Sequence, residues 1–323
     1  MKEAIVVKDL TKTFSTKVKK PGFVGAFTSL FSSERKEPIA VDHISFSINQ
    51  GELVGFIGPN GAGKSTTIKM LTGILFPTSG DITVLGRNPQ NERVKLAYEI
   101  GTIFGQRQQL WLHLPPIDSF NLFAKIYEIP DASYKARLKE LVTLFELTPY
   151  LNTPVRKLSL GERMRCEFVA SLLHDPKVLF LDEPTIGLDI IAKQNMRDYI
   201  RKLNKTGTTV ILTSHDLDDI EELCPRVIVI NHGKILYDGS MDTLRGKLKT
   251  KVLELRSDEE FKQLPALTNV RVVKKEKFAI TLEVDRTKVP IRKVLDTYLK
   301  KFHVIDIVIE DPPIEDIIRR LYR

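Results

Sequence analysis

Gly58-Pro59-Asn60-Gly61-Ala62-Gly63-Lys64-Ser65 sets glycines, a lysine and a hydroxyl at the spacing G-x-x-x-x-G-K-[ST]. That combination suits a polyphosphate. Glycines let successive backbone N–H groups turn inward around phosphate oxygens. The lysine supplies a cation that reaches the β- and γ-phosphates, and the Ser65 hydroxyl can ligate Mg²⁺. The context fits this chemistry. Leu53-Val54-Gly55-Phe56-Ile57-Gly58 reads as a buried strand, and Thr66 to Leu75 reads as an apolar helix whose positive N-terminal end faces the anion.

A second segment complements the first. In Val178-Leu179-Phe180-Leu181-Asp182-Glu183, four apolar residues predict a buried strand with two acids at its C-terminal end. Ligands of α/β sheets bind at those strand ends. Asp182 is placed to hold Mg²⁺ through water, and Glu183 to polarise an attacking water as general base.

These groups need a scaffold, and the rest of the pattern supplies one. Ala4–Val7, the stretch from Ile39, Thr209–Leu212 and Val227–Ile230 read as further short strands. Strands apolar on both faces predict a parallel sheet covered by helices. Residues 131–147 have helical spacing with Leu138, Leu141, Val142 and Phe145 on one face, and another helix is expected near Gly161. After about Gly246 the character changes. Val252–Leu255, Val270–Val273, Phe278–Val284 and Val304–Ile309 read as strands, and Val289–Phe302 and Ile314–Leu321 as helices. This series predicts a small ferredoxin-like appendix.

Composition bounds the reading. The chain has 323 residues, 42% hydrophobic and 28% charged, enough for one large domain and a smaller one. Its apolar runs are far shorter than the ~20 residues needed to span a bilayer, and the N-terminus lacks a secretory signal, so a cytoplasmic location is expected. Cys166 and Cys224 form no ligand pattern and read as buried thiols. A net charge of +8 favours anionic partners without choosing among nucleotide, nucleic acid and membrane.

With these segments in view, the chain resembles the ATP-binding cassette (ABC) ATPases. Leu158-Ser159-Leu160-Gly161-Glu162 resembles the ABC signature LSGGQ, with Leu160 for a glycine and Glu162 for the glutamine. In the family this segment caps the γ-phosphate bound by the opposite subunit. Ser159 and Glu162 also have the spacing of a capping box. Gly187-Leu188-Asp189 resembles the D-loop that bridges two subunits, and Thr213-Ser214-His215-Asp216 carries the switch histidine. Gln106 occupies the Q-loop place after Ile100-Gly101, with one residue more than the usual spacing and with Gln108 and Gln109 as alternatives. Phe14 occupies the place of the adenine-stacking aromatic, a role its ring face suits.

The resemblance implies a cassette over residues 1–240, with a parallel-sheet core, an antiparallel β subdomain and a helical subdomain at about 105–175. An insertion interrupts it at 15–38, and an α+β appendix follows at 246–323. The implied nucleotide contacts are Phe14, Gly58, Pro59, Asn60, Gly61, Ala62, Gly63, Lys64, Ser65 and Thr66, with Ser159, Gly161, Glu162 and Asp189. Catalysis falls to Glu183, His215 and Gln106, and Mg²⁺ to Ser65, Gln106 and Asp182. Two cassettes pair head to tail in the family, so a homodimer or a pair with a related chain is expected. Both would sit on the cytoplasmic face of a bacterial membrane beside a permease.

The segment Gly105–Pro115 and the closing Asp311-Pro312-Pro313 look like those of ATP-binding subunits of ABC-2-type exporters, the daunorubicin/viologen-resistance-like branch. Trp111 and Leu114 suit either partner contact or core packing. Within the insertion, Lys17, Lys19 and Lys20 precede Phe23, Phe27, Leu30 and Phe31 at helical spacing. Such a helix could lie on an anionic membrane or pack on protein. The appendix could sense a ligand, stabilise a dimer or extend the packing. Nucleic acid is not an expected partner, because neither a second cassette nor a long coiled-coil insertion is present.

Overall fold

The structure, a computed structural model, describes residues 2–17, 35–104, 108–186, 188–214, 216–246 and 249–322. The chain divides into two compact units, Met1–Asp238 and Gly239–Arg323.

The first unit opens with β1 (Glu3–Thr13), the two-residue strands β2 (Thr16–Lys17) and β3 (Arg35–Lys36), then β4 (Ile39–Asn49) and β5 (Leu53–Ile57). Helix α1 (Lys64–Leu71), β6 (Ser79–Val84), α2 (Arg93–Ala97) and β7 (Ile100–Phe104) follow. A helical region then holds α3 (Pro116–Ile126), α4 (Asp131–Leu144) and α5 (Leu160–Leu172). The unit finishes with β8 (Val178–Asp182), α6 (Ile190–Lys205), β9 (Thr209–Thr213), α7 (Leu217–Leu223), β10 (Arg226–Asn231) and β11 (Lys234–Ser240).

These strands sort by burial. β5 and β9 are buried at every position and β8 at all but Asp182, so each needs cover on both faces. They form the middle of a six-stranded sheet of order β11-β10-β5-β9-β8-β7, with parallel pairing from β10 through β7. β1 and β4 instead mix buried and exposed positions. They join β6 in an antiparallel sheet of order β4-β1-β6, as expected for strands with one covered face. Ile5, Leu10, Ile44, Ile48, Ile68, Met70, Val178 and Ile228 belong to one shared core. The fold is therefore the α/β cassette architecture, with a parallel-sheet core, an antiparallel β subdomain and a helical region.

α1 stops at Leu71, short of the expected Leu75. Thr72 turns its hydroxyl back onto the Ile68 carbonyl at 3.0 Å, and Gly73 has φ 71°, which ends the helix. β2 and β3 pair within the insertion. Lys19, Lys20, Phe23, Phe27, Leu30 and Phe31 lie outside the described residues.

The second unit holds α8 (Met241–Gly246), β12 (Thr250–Ser257), β13 (Val270–Lys275), β14 (Ala279–Asp285), α9 (Ile291–Leu299), β15 (Val304–Glu310) and α10 (Ile314–Leu321). Its sheet has the order β13-β14-β12-β15 and is antiparallel throughout. Leu253, Leu255, Ile280, Leu282 and Val284 share its core with Val294, Tyr298 and Phe302. The appendix is thus α+β. Between β12 and β13 the chain forms no helix, but Phe261 from that stretch is fully buried in the same core. α9 is shorter than the expected Val289–Phe302, because Pro290 stands at its N-cap.

Candidate functional site

The glycine-rich loop leaves β5 and enters α1, and its glycines are sterically required. A Cβ on Gly58 would sit 2.2 Å from the Ile230 carbonyl oxygen. Gly63, the residue before α1, has φ 111°, and a Cβ there would meet the Ala40 oxygen at 2.5 Å. Gly61 has φ 79° with open space around its Cβ position. Gly58 and Gly63 are thus pinned against neighbouring backbone, while the crown, with Pro59, Asn60 and Gly61 exposed, is left free to wrap an anion. Ala62 is buried, and its carbonyl accepts from the Gly233 amide at 3.0 Å.

Lys64 is 5% exposed and bends over its own loop. Its Nζ donates to the Gly58 carbonyl at 2.6 Å and to the Pro59 carbonyl at 3.1 Å. Burial lowers its pKa, while the charges of Glu183 and Asp182 pull it back up. The ammonium therefore sits within the field of both acids. Ser65 and Thr66 are half-buried in the first turn of α1.

Strand order brings the acids to the loop. β9 lies between β5 and β8, and all three are parallel, so their C-terminal ends share one edge. The Thr213 hydroxyl, at the end of β9, donates to Asp182 Oδ1 at 2.6 Å. The same hydroxyl accepts from the Glu183 amide at 3.2 Å, and the Thr213 carbonyl accepts from that amide at 3.0 Å. Glu183 itself has φ 59°, a left-handed backbone that costs a non-glycine residue about 1–2 kcal/mol. Thr213 holds this strained residue in place, and such strain concentrates at functional sites. Sequence reasoning passed over Thr213. The available signal was a hydroxyl residue closing an otherwise apolar strand.

A second network braces the edge. Asp219, on α7, is fully buried and accepts from Thr185 Oγ1 at 2.6 Å, Ser214 Oγ at 3.4 Å and Arg197 Nε at 2.7 Å. It joins the turn after β8, the end of β9 and helix α6. An acid among Leu217, Ile220 and Leu223 was its sequence signal. Replacing it by Ala removes one of the two acids that pair with the Arg197 guanidinium and leaves the Thr185 hydroxyl without its acceptor. Asp219→Ala is expected to cost about 3 kcal/mol, the lower end for breaking a buried pair. Urea denaturation measures this, and a loss below about 0.5 kcal/mol would fit only a peripheral residue.

The signature residues occupy another place. Ser159 caps α5: the Glu162 amide donates to Ser159 Oγ at 3.3 Å, and the Ser159 amide donates to Glu162 Oε2 at 2.8 Å. That backbone amide is the first cause holding the Glu162 carboxyl below the usual range. A Cβ on Gly161 would meet only Leu188 Cδ2, at 3.8 Å. Nothing described in this chain demands a glycine there. Asp189 caps α6 through the Ala192 amide at 2.8 Å, and the next two residues, Ile190 and Ile191, are 86% and 75% exposed.

Phe14 is partly exposed with Lys12 Nζ 5.3 Å from its ring centre, and its amide donates to the Pro38 carbonyl at 3.1 Å. Gln106, Gly187 and His215 lie outside the described residues. Of the alternative glutamines, Gln109 is already engaged: its side-chain amide donates to the Thr102 carbonyl at 2.5 Å. Gln108 is exposed. Both cysteines are buried, and burial pushes the Cys166 thiol up to about 12.

The residues fit a magnesium nucleotide. The loop crown is open, a buried cation lies within the field of two acids, and Asp182 keeps an oxygen beyond its bond to Thr213. Comparison with known proteins agrees. The family model described as "ABC transporter" matches residues 41–186. The ABC transporter ATP-binding protein NatA of Bacillus subtilis is 33% identical over 214 residues, 66% of this chain and 87% of NatA. The linearmycin resistance ATP-binding protein LnrL of the same organism is 36% identical over 208 residues, covering 64% of this chain and 67% of LnrL. Among solved structures, an ATP-binding subunit of an ABC transporter superposes with TM-score 0.64 at 25% identity, covering 76% of this chain and 92% of the other. On the family match, the relatives and the cassette fold together, the chain belongs to the ATP-binding subunits of ABC transporters.

Proposed function

We propose that this chain hydrolyses ATP as the energising subunit of an ABC-2-type exporter, with a separate membrane permease carrying the cargo. The observation that carries the hydrolytic part is the convergence of Lys64, Asp182 and the strained, Thr213-clamped Glu183 at one sheet edge. In this reading the loop Gly58–Ser65 and Thr66 hold the phosphates, Phe14 stacks on the adenine, and Glu183 takes a proton from the attacking water. His215 and Gln106 contribute at the γ-phosphate. Ser65, Asp182 and Gln106 would hold Mg²⁺, which would supply charge stabilisation to the phosphoryl oxygens.

The site is completed by a second copy. Ser159, Gly161 and Glu162 cap the partner's nucleotide, which gives Gly161 the reason for its missing side chain that this chain does not supply. The exposed Ile190 and Ile191 beside Asp189 fit a surface covered by that copy. The permease meets the exposed Trp111, Leu112 and Leu114. A relative named for Nod factor export, 32% identical over 232 residues, supports export. Residues 1–240 form the cassette, and 246–323 form a ferredoxin-like accessory domain, whose strand order suits that description even without its first helix.

No helix among the described residues is long and apolar enough to cross a membrane. Purification of a tagged Glu183→Gln chain from solubilised native membranes with ATP and Mg²⁺, followed by mass spectrometry, tests the reading. A co-purifying multi-spanning protein is expected. Recovery of soluble or ribosomal partners alone would overturn the transporter assignment.

A further inference from the structure

Glu167 lies eight residues after Ser159 on α5, among Cys166, Phe168 and Val169, and is 3% exposed. The machinery described above does not use it. Its carboxylate accepts from the Gln109 amide at 3.2 Å on Oε1 and 3.1 Å on Oε2, and from the Leu110 amide at 3.4 Å on Oε1. Among the described residues these backbone amides are its hydrogen-bond donors, and no ion pair joins it. Burial pushes the carboxyl up to about 6 against the pull of those two amides and of Arg163. The charge therefore works against folding at neutral pH, and an uncharged side chain of the same shape would be easier to bury.

The segment it grips leads directly to the exposed apolar turn. Trp111, Leu112 and Leu114 are each about 40% exposed. The far end of this turn is tied as well: the Arg156 amide donates to the Leu112 carbonyl at 2.9 Å, and the Val155 amide to the Leu114 carbonyl at 3.1 Å. Val155–Lys157 form the 3₁₀ turn just before Leu158 and Ser159. The turn at 111–114 is thus bound at one end to the body of the signature helix and at the other to its leading turn. The Gln109 side chain adds a bond to Thr102 on β7, next to the acid-bearing strand β8.

We propose that Glu167 is a positioning residue that fastens the apolar turn 111–114 to the signature helix, so that displacement of the turn by a membrane partner moves Ser159 and Gly161 with it. The coupling half of this inference rests on the transporter reading, and the anchoring half stands on this chain alone. A carboxylate offers the Gln109 amide both of its oxygens and the Leu110 amide one of them. Bonds to a charged group are also stronger than bonds to an amide. Stability is given up for that grip.

Two variants of the full-length protein test it. Glu167→Leu removes both acceptor oxygens, and Glu167→Gln keeps the shape and one acceptor. In the isolated chain, amide hydrogen exchange at residues 109–114 is expected to speed up about tenfold or more in Glu167→Leu, and unchanged exchange would overturn the anchor. Glu167→Gln should melt at the same temperature as wild type or higher. Wild type should gain stability as pH falls through about 6, a gain the variant lacks, since a raised carboxyl pKa favours the protonated folded form. In the complex purified from membranes, Glu167→Gln is expected to keep the KM for ATP and the basal rate within about twofold while the partner-stimulated kcat falls about tenfold. Full retention of stimulation would overturn the coupling role. A parallel fall of basal and stimulated rates with a lower melting temperature would overturn it too, by revealing a purely structural residue. If wild type captures no membrane protein, the transporter reading falls and takes the coupling with it, whereas faster exchange in Glu167→Leu would still uphold the anchor.

Discussion

Glu183→Gln is expected to bind ATP within about twofold of wild type and to turn it over about 10²–10⁴-fold more slowly, the range that a general base contributes. The substitution removes the basicity and the charge and keeps the shape. Glutamine has the same shape, and the backbone at φ 59° is held by the Thr213 carbonyl and hydroxyl, neither of which contacts the side chain through these bonds. Asp182 keeps its own bond to Thr213, so the magnesium side of the site is undisturbed. Lys64 loses one of the two acidic charges that hold its ammonium protonated and keeps the other. Binding measured with a fluorescent ATP analogue and turnover measured by phosphate release separate the two effects. A variant hydrolysing at the wild-type rate would remove Glu183 from the base role. The same variant should accumulate as a dimer in ATP and Mg²⁺, readable by light scattering.

Lys64→Met reverses the pattern, with the loss falling on binding and turnover together. The ammonium is the one cation that the described structure places inside the glycine loop, at 2.6 Å from the Gly58 carbonyl. It is nearly buried, where charge counts for more than in water. Methionine fills the same volume without charge, so the phosphates would face Asp182 and Glu183 without the lysine's offsetting charge. Turnover is expected to fall about 10²–10³-fold, as when a preorganised donor to a developing oxyanion is removed, and ATP affinity by at least about tenfold. The fold should survive, because the buried group lost is a charge rather than an apolar side chain, and circular dichroism should be unchanged. If Lys64→Met bound ATP as tightly as Glu183→Gln does, the lysine would not be a phosphate ligand. The two variants together distinguish binding from chemistry at one sheet edge.

Much of this was legible in the sequence because it is local. A buried parallel strand is a short apolar run, so β5, β8, β9 and β10 stand where Leu53–Gly58, Val178–Leu181, Thr209–Leu212 and Val227–Ile230 predict, with β5 ending one residue early at Ile57. The glycine loop depends on backbone conformations that only its own residues can supply. The capping box of Ser159 and Glu162 closes over three residues, within reach of simple spacing. The C-terminal elements follow the same rule, except where side chains act without secondary structure. Phe261 was invisible as a core residue because the stretch around it has neither helical nor strand periodicity.

What the tertiary structure decided is whatever joins residues distant in the chain. Thr213 reaches Asp182 across 31 positions, Asp219 reaches Thr185 across 34, and Glu167 reaches Gln109 across 58. No periodicity encodes such pairs. They follow from the strand order β5-β9-β8-β7, which brings together chain ends that the sequence holds far apart. The same order set the glutamines apart, by turning Gln109 onto Thr102 and leaving Gln108 at the surface. The sequence alone determined the chemical groups and the short elements that carry them, since both depend on neighbours along the chain. Which acid is clamped, which is buried against backbone amides, and which glycine has no steric reason among the described residues depend on packing between elements, and only the folded arrangement decides them.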